Sequence, residues 1–302
     1  MDQALTTTAS GDLDNWEESV EEYSYGYRGR PPTDVLAGLA ADIDGLRPML
    51  DRPLPVPERT RLCRSAAQLA GMTAIVLHDL GDRTEAKRWF ATAGKAAAES
   101  GDRSLHAWVL ARHAMVPINF GAPQAAAELA EQARRIAGSH PTAAAALSAA
   151  VAARAYALTG RHEQAEGAIA DAERFATRLS PRQRADTWFG YGEQKEHVHL
   201  SHALTTLGST RRARESQTRA LELSSPTSSM TRGLLRLDAA TCWHRDGDTE
   251  QACRAATAAL ADLPPGWRTG LTRTRAVELY RMIPAQDHHE PAARELRDAL
   301  SA

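Results

Sequence analysis

Leu80-Gly81-Asp82-Arg83-Thr84-Glu85-Ala86-Lys87-Arg88-Trp89-Phe90-Ala91-Thr92-Ala93 places a turn signal ahead of two alanines at fixed distances, and the same frame returns four more times. Gly81, Gly121, Gly160, Gly208 and Gly247 are each followed five residues later by Ala86, Ala126, Ala165, Ala213 or Ala252. Twelve residues after the same glycines stand Ala93, Ala133, Ala172, Ala220 and Ala259. The glycines are 40, 39, 48 and 39 residues apart, a period that reads as stacked helical hairpins. Seven residues before each glycine stands a small residue (Ala74, Ala114, Ala153, Ser201, Ala240), which lets the first helix of each hairpin lie close to its neighbour. Four before it stand Leu77, Tyr156, Leu204 and Trp243, bulky enough to fill the seam; the exception is Pro117, which predicts a kinked or shortened helix. After the turns, Asp82 with Glu85 and Asp248 with Gln251 have helix-capping spacing, and Ser209 is a candidate cap.

Small residue, large residue, turn glycine, alanine, large residue, alanine: this order resembles the tetratricopeptide repeat. Phe90 and Ile169 match its large position nine after the glycine, Ala130, Gln217 and Ala256 depart from it, and Pro264 matches its closing proline. The resemblance covers residues 57–265 and implies an all-α superhelix of tetratricopeptide-like hairpins, an α-solenoid, with turns longer than in the usual repeat of about 34 residues. Around it, residues 1–15 read as a disordered polar tail and 16–56 as a tether and first helix, with helices expected over 33–50 and 57–80. Residues 266–302 read as capping helices with a polar outer face. The one long step, from Gly160 to Gly208, holds extra residues near Ser180–Gly192, where Ser180-Pro181 with Gln183 signals a helix start.

Composition agrees with helices in contact. The chain has 302 residues, 43% hydrophobic but only 5% aromatic, so alanine carries much of the apolar content. Net charge is −2, which gives no basic footprint for nucleic acid. Three cysteines without CxxC pairing argue for a reducing compartment, and no signal-peptide or membrane-spanning pattern is evident, so a cytoplasmic protein is expected. Hydrolase, nucleotide-binding and metalloprotease motifs are missing, so no catalytic residue is assigned.

The tetratricopeptide resemblance implies that first helices line a concave groove, with contact positions six, nine and thirteen before each glycine. In this sequence those positions include Met115, Arg154 and His202; Arg112, His199 and Asp238; and Trp108, Leu147 and Lys195. The lining is basic, imidazole-bearing and apolar, suited to a peptide or an anionic small molecule. Trp188-Phe189-Gly190-Tyr191-Gly192, just before the fourth groove helix, either folds over the groove, with Trp188 and Tyr191 as anchors, or only fills the gap left by the insertion. Tyr23-Ser24-Tyr25-Gly26-Tyr27 can dock along the repeats, pair across a dimer or act as a tether. His197, His199 and His202 with Glu193 and Glu196 give half of a di-iron pattern and no second half, so no metal or other cofactor is assigned.

A closer resemblance rests on Trp16…Val20-Glu21-Glu22-Tyr23, Pro31-Pro32, Leu39-Ala40, Ala70-Gly71-Met72, Arg88-Trp89-Phe90 and Ser100-Gly101-Asp102-Arg103-Ser104-Leu105 with Trp108-Val109. This run is similar to the C-terminal repeat region of actinobacterial XRE-type helix-turn-helix transcriptional regulators. It implies a region that senses a ligand or dimerises beside a DNA-binding head. Only fifteen residues precede Trp16, so no direct binding of nucleic acid by this chain is expected. The expected function is a regulatory binding module, a homodimer, that takes a peptide, small molecule or protein segment in its groove. Two alternatives stand beside it: an enzyme or enzyme accessory with a diverged site near His199 and His202, and a dimeric interaction scaffold.

Overall fold

The computed structural model describes the backbone of residues 2–301 and the side chains of residues 13–301. Among the described residues there are fourteen α-helices and no strand. α1 (Asp2–Ser24) and α2 (Pro32–Leu50) precede six antiparallel hairpins. These pair α3 (Val56–Asp79) with α4 (Arg83–Glu99), α5 (Arg103–Asn119) with α6 (Pro123–Ala137), and α7 (Ala143–Leu158) with α8 (His162–Ala176). They continue with α9 (Glu193–Leu207) and α10 (Thr210–Leu223), α11 (Ser229–Arg245) and α12 (Thr249–Ala261), and α13 (Gly270–Met282) and α14 (Pro291–Ser301). The architecture is an all-α superhelix of tetratricopeptide-like hairpins.

The repeat glycines terminate the first helices by one shared device. All five have positive φ, from +71° at Gly160 to +93° at Gly247. In each case the next residue donates its N–H to the carbonyl four residues before the glycine, as in Asp82 to Leu77 at 2.9 Å and Asp248 to Trp243 at 2.9 Å. This is a Schellman closure, which needs a residue that tolerates the left-handed region. Pro117 fits the same device because its carbonyl accepts from Ala122 at 2.8 Å. Contrary to expectation, α5 is not shortened and reaches Asn119, since proline sacrifices only its own N–H in the last turn. Asp82 and Asp248 cap their helices by accepting from Glu85 N at 3.1 Å and Gln251 N at 2.9 Å. Ser209 does not act as a side-chain cap.

Each alanine of the frame sits at a helix contact. The ten that follow the glycines are at most 2% exposed, and the five small residues that precede them are fully buried. At such seams a larger side chain forces neighbours out of their rotamers, which costs about 1–3 kcal/mol. α7, in mid-stack, is buried from Ala143 to Ala157, which explains why its sequence is apolar all round.

Two regions differ from the sequence expectation. Backbone over residues 2–15 is helical, where a disordered tail was expected, because α1 is anchored further on and propagation of an existing helix adds one bond per residue. The anchor is the seating of Trp16 against Gly45 and Tyr23 against Gly38, with Leu13 and Val20 in a core shared with α2 and α3. The Ser180–Gln183 pairing does form, but as a turn and not a helix start. The chain doubles back, with Tyr191 N donating to Gln183 O at 2.8 Å, and Gly190 has a carbonyl where a Cβ would stand.

The stack closes on itself. Gly270, with φ of +59°, lies against the first turn so tightly that an added Cβ would stand 2.2 Å from the Asp79 carbonyl oxygen. α13 thereby returns beside α3 and α5, and the first helices of all six hairpins surround one space.

Candidate functional site

That space is a cavity of about 550 Å³. Eight of the ten residues singled out from the sequence line it: Arg112, Met115, Arg154, Trp188, Lys195, His199, His202 and Asp238. The other two stand directly behind the wall. Trp108 donates its indole N–H to the Trp188 carbonyl at 2.8 Å, and the buried ring of Tyr191 stacks on His199 at 6.1 Å between centroids.

The lining is not an open groove, because two segments roof it. The Ser180–Gly192 insertion turns inward, and Lys195 pins it by donating to the Thr187 and Gly190 carbonyls at 2.6 and 2.7 Å. Arg112 Nη2 donates to the Trp188 carbonyl at 3.0 Å, and Phe189 packs on Trp108 with centroids 4.5 Å apart. The second roof is the connection from α1 to α2, a strap over Tyr25–Arg30. Trp188 N donates to Ser24 O at 2.6 Å, and the Tyr27 ring meets Trp188 and Trp267 edge-on at 5.6 and 5.2 Å. Of the options open in the sequence, this segment docks on the repeats.

A continuous hydrogen-bonded chain crosses the floor, with a residue from each first helix. Tyr27 donates to Asp79 Oδ2 at 2.7 Å, and the other Asp79 oxygen lies 3.0 Å from His78 Nδ1. His78 Nε2 faces Asn119 Nδ2 at 2.9 Å, and Asn119 Oδ1 accepts from Arg154 Nη2 at 3.1 Å and Arg275 Nη2 at 3.3 Å. Arg154 Nε donates to His202 Nδ1 at 3.1 Å. Arg275 Nη1 pairs with Asp238 Oδ1 at 2.5 Å, while Ser201 donates to Asp238 Oδ2 at 2.8 Å. The directions follow from two facts, that a guanidinium only donates and an ionised carboxylate only accepts. Asn119 must turn its oxygen to the arginines and its NH₂ to His78, which must accept at Nε2 and carry its proton at Nδ1 towards Asp79.

Burial sets the electrostatics. It pushes the Arg112 guanidinium down to about 10, and burial with neighbouring Arg275 pushes Arg154 down to about 9. Burial, reinforced by Arg112, holds Lys195 well below the usual ammonium range. His199 and His202 are likewise held far below an ordinary imidazole, first by burial and then by Arg112, Arg154, Lys195 and Arg275 around them. Glu196, behind the wall, is raised to about 7 by burial and by Glu173 and Glu193.

These shifts have a sign. An imidazole kept neutral in the fold but protonated in the unfolded chain contributes stability above its ordinary value of 6.5, and that stability is lost as pH falls. Each such histidine adds a slope of up to about 1.4 kcal/mol per pH unit. Glu196 acts oppositely, its contribution being lost as pH rises from 4.5 through 7, but partial exposure screens it. Urea unfolding is therefore expected to show a falling stability between pH 7 and 5, flattened in a His199→Gln/His202→Gln variant. An equally steep fall in that variant would show that other groups are responsible.

His197 does not join its neighbours. It lies outside, with Nε2 4.0 Å from Glu193, while His199 and His202 face inward, so the three histidines do not converge. Among the described residues no group of three or more His, Cys, Asp or Glu is placed to hold a metal ion. No described helix is long and apolar enough to cross a membrane.

Sequence reasoning missed His78, Asp79, Asn119 and Arg275, and named Tyr27 only within a segment able to dock along the repeats. His78, Asp79 and Asn119 lie two or three residues before a turn glycine, outside the positions used, and α13 has no turn glycine to set a register for Arg275.

No family model and no curated protein matches the chain. Among solved structures, the tetratricopeptide-repeat domain of P58(IPK) is similar at 13% identity over 96% of this chain and 96% of that one, with a TM-score of 0.23. At that score the hairpin architecture rests on the turns and helix pairs described above.

Proposed function

We propose that this chain is a sensor module of the helical-repeat class, and that it holds a small molecule inside the closed ring. The observation that carries this reading is the cavity itself. It is of the size that takes a metabolite, it is walled by all six first helices, and it contains buried polar atoms without partners, Arg112 Nε and His199 Nδ1. A peptide laid along an exposed groove fits less well, because the strap and the insertion occupy the path it would take. The regulatory role draws on the resemblance, from about Trp16 to the C-terminus, to XRE-type regulators; in this reading the chain works as a cytoplasmic homodimer through a partner protein, without binding nucleic acid directly.

The test is a thermal-shift screen of metabolites against the full chain and a Leu234→Trp variant, which puts a larger ring into the cavity from its α11 wall. A ligand at about a hundred times its Kd stabilises the fold by about 2.7 kcal/mol. Binders of the parent that no longer shift the folded variant support the site. Binders that shift both equally place the ligand elsewhere and overturn the reading.

A further inference from the structure

Resting on that reading, we infer that the ligand is an amphipathic carboxylate, with its anionic head among Arg112, Arg154 and His202 and an apolar body against the apolar part of the lining.

The first support is the polarity of the hydrogen bonds. The side-chain acceptors of the floor are already engaged by the wall. Both oxygens of Asp79 are taken by His78 and Tyr27, and both of Asp238 by Arg275 and Ser201. Asn119 Oδ1 accepts twice, and the Trp188 carbonyl accepts from both Trp108 and Arg112. Donors, in contrast, are left over. Arg112 Nε is buried without a partner. Arg154 uses Nε and Nη2, which leaves Nη1 without a partner among the described residues. His202 accepts at Nδ1, so its proton is on Nε2. A floor whose leftover guanidinium and imidazole groups donate selects a ligand head that accepts.

Charge agrees. Arg28, Arg112, Arg154, Arg275 and Lys195 line the space, and Asp79, Asp186 and Asp238 oppose them, so cations remain in excess. One anionic head reduces this excess, and the lowered values of Arg112 and Arg154 would rise towards normal on binding. Carboxylate geometry matches a guanidinium fork. Ile75, Phe90, Met115, Val198, Leu234 and Leu271 add apolar lining, and a bare ion would leave most of about 550 Å³ unfilled. The head alone is therefore a poor ligand.

The experiment pairs acids with their primary amides: octanoate, decanoate, 3-phenylpropanoate and indole-3-acetate against octanamide, decanamide, 3-phenylpropanamide and indole-3-acetamide. Acetate and inorganic phosphate serve as heads without bodies. Thermal shift and calorimetry on the full chain are expected to show at least one acid binding about 10- to 100-fold tighter than its amide, the worth of a charge-assisted hydrogen bond. Acetate and phosphate are expected to bind far more weakly than that acid. Arg112→Met is expected to erase the preference; if that variant does not fold, the acid-to-amide ratio of the parent protein decides alone. Equal binding of acid and amide overturns the inference. So does the absence of binding by every acid while neutral or cationic compounds bind the parent and not Leu234→Trp, a result that leaves the cavity reading intact. If no compound of any charge distinguishes the parent from Leu234→Trp, the cavity reading itself fails.

Discussion

Asp238→Ala is expected to cost about 3 kcal/mol of folding stability, although the side chain makes only two bonds. Asp238 is 4% exposed, and its partner Arg275 is 7% exposed. Removing the carboxylate leaves a buried guanidinium bonded to Asn119 and to the half-exposed Glu278 at 3.3 Å, with Arg154 close by as an uncompensated like charge. It also strands the Ser201 hydroxyl. Breaking one side of a buried ion pair generally costs about 3–5 kcal/mol, whereas replacing both sides by apolar groups is often neutral. The Glu278 contact places this case at the lower end. The double variant Asp238→Leu/Arg275→Met is expected to recover more than half of the loss in urea unfolding. A single variant that loses under about 1 kcal/mol would contradict the burial of this pair.

Gly270→Ala is expected to cost as much by a different route. Its φ of +59° penalises any side chain, by about 1–2 kcal/mol, and its Cβ would overlap the Asp79 carbonyl oxygen and lie 2.8 Å from the Leu80 carbonyl carbon. Backbone cannot rotate aside as a side chain does, so α13 must move away from the first hairpin. Gly121→Ala is the control, with a φ of +81° but nothing within 4 Å of the added atom. It is expected to show the conformational penalty alone. Hydrogen exchange separates the two: Gly270→Ala is expected to lose protection at the ends of α3 and α13, and Gly121→Ala only at its own turn. Equal losses of stability would mean that the contact between the ends contributes nothing.

The frame of glycines and alanines was legible because each turn and each seam is local. Gly81 with Ala86 and Ala93 needs only its own hairpin to explain it, and counting back from the glycine brought Arg112, Arg154, His199, His202 and Asp238 to one wall. What could not be read depends on chain segments far apart in sequence. Arg275 meets Asn119 across 156 residues, and Tyr27 meets Asp79 across 52. Periodicity carries no signal for either: the first exists only once α13 has returned beside α3 and α5, and the second depends on where the strap crosses the end of α3. Ser180 and Gln183 show the converse. Their local pairing is present, but the inward pull of Lys195 on the Thr187 and Gly190 carbonyls keeps the segment from continuing as a helix.

The contact of Gly270 with the first turn changes the mechanics of the whole stack. An open solenoid behaves as a spring, in which each hairpin answers to its neighbours and a free end can swing. With the ends clasped, a tilt of any one hairpin must be shared by the other five or released at the clasp. The strap adds a second tie across the ring, through Tyr27 to Asp79 and through the Tyr27 ring to Trp188 and Trp267. Because α1 is itself seated on α2 and α3, the clasp ties the N-terminal helices into the same mechanical unit as the ring.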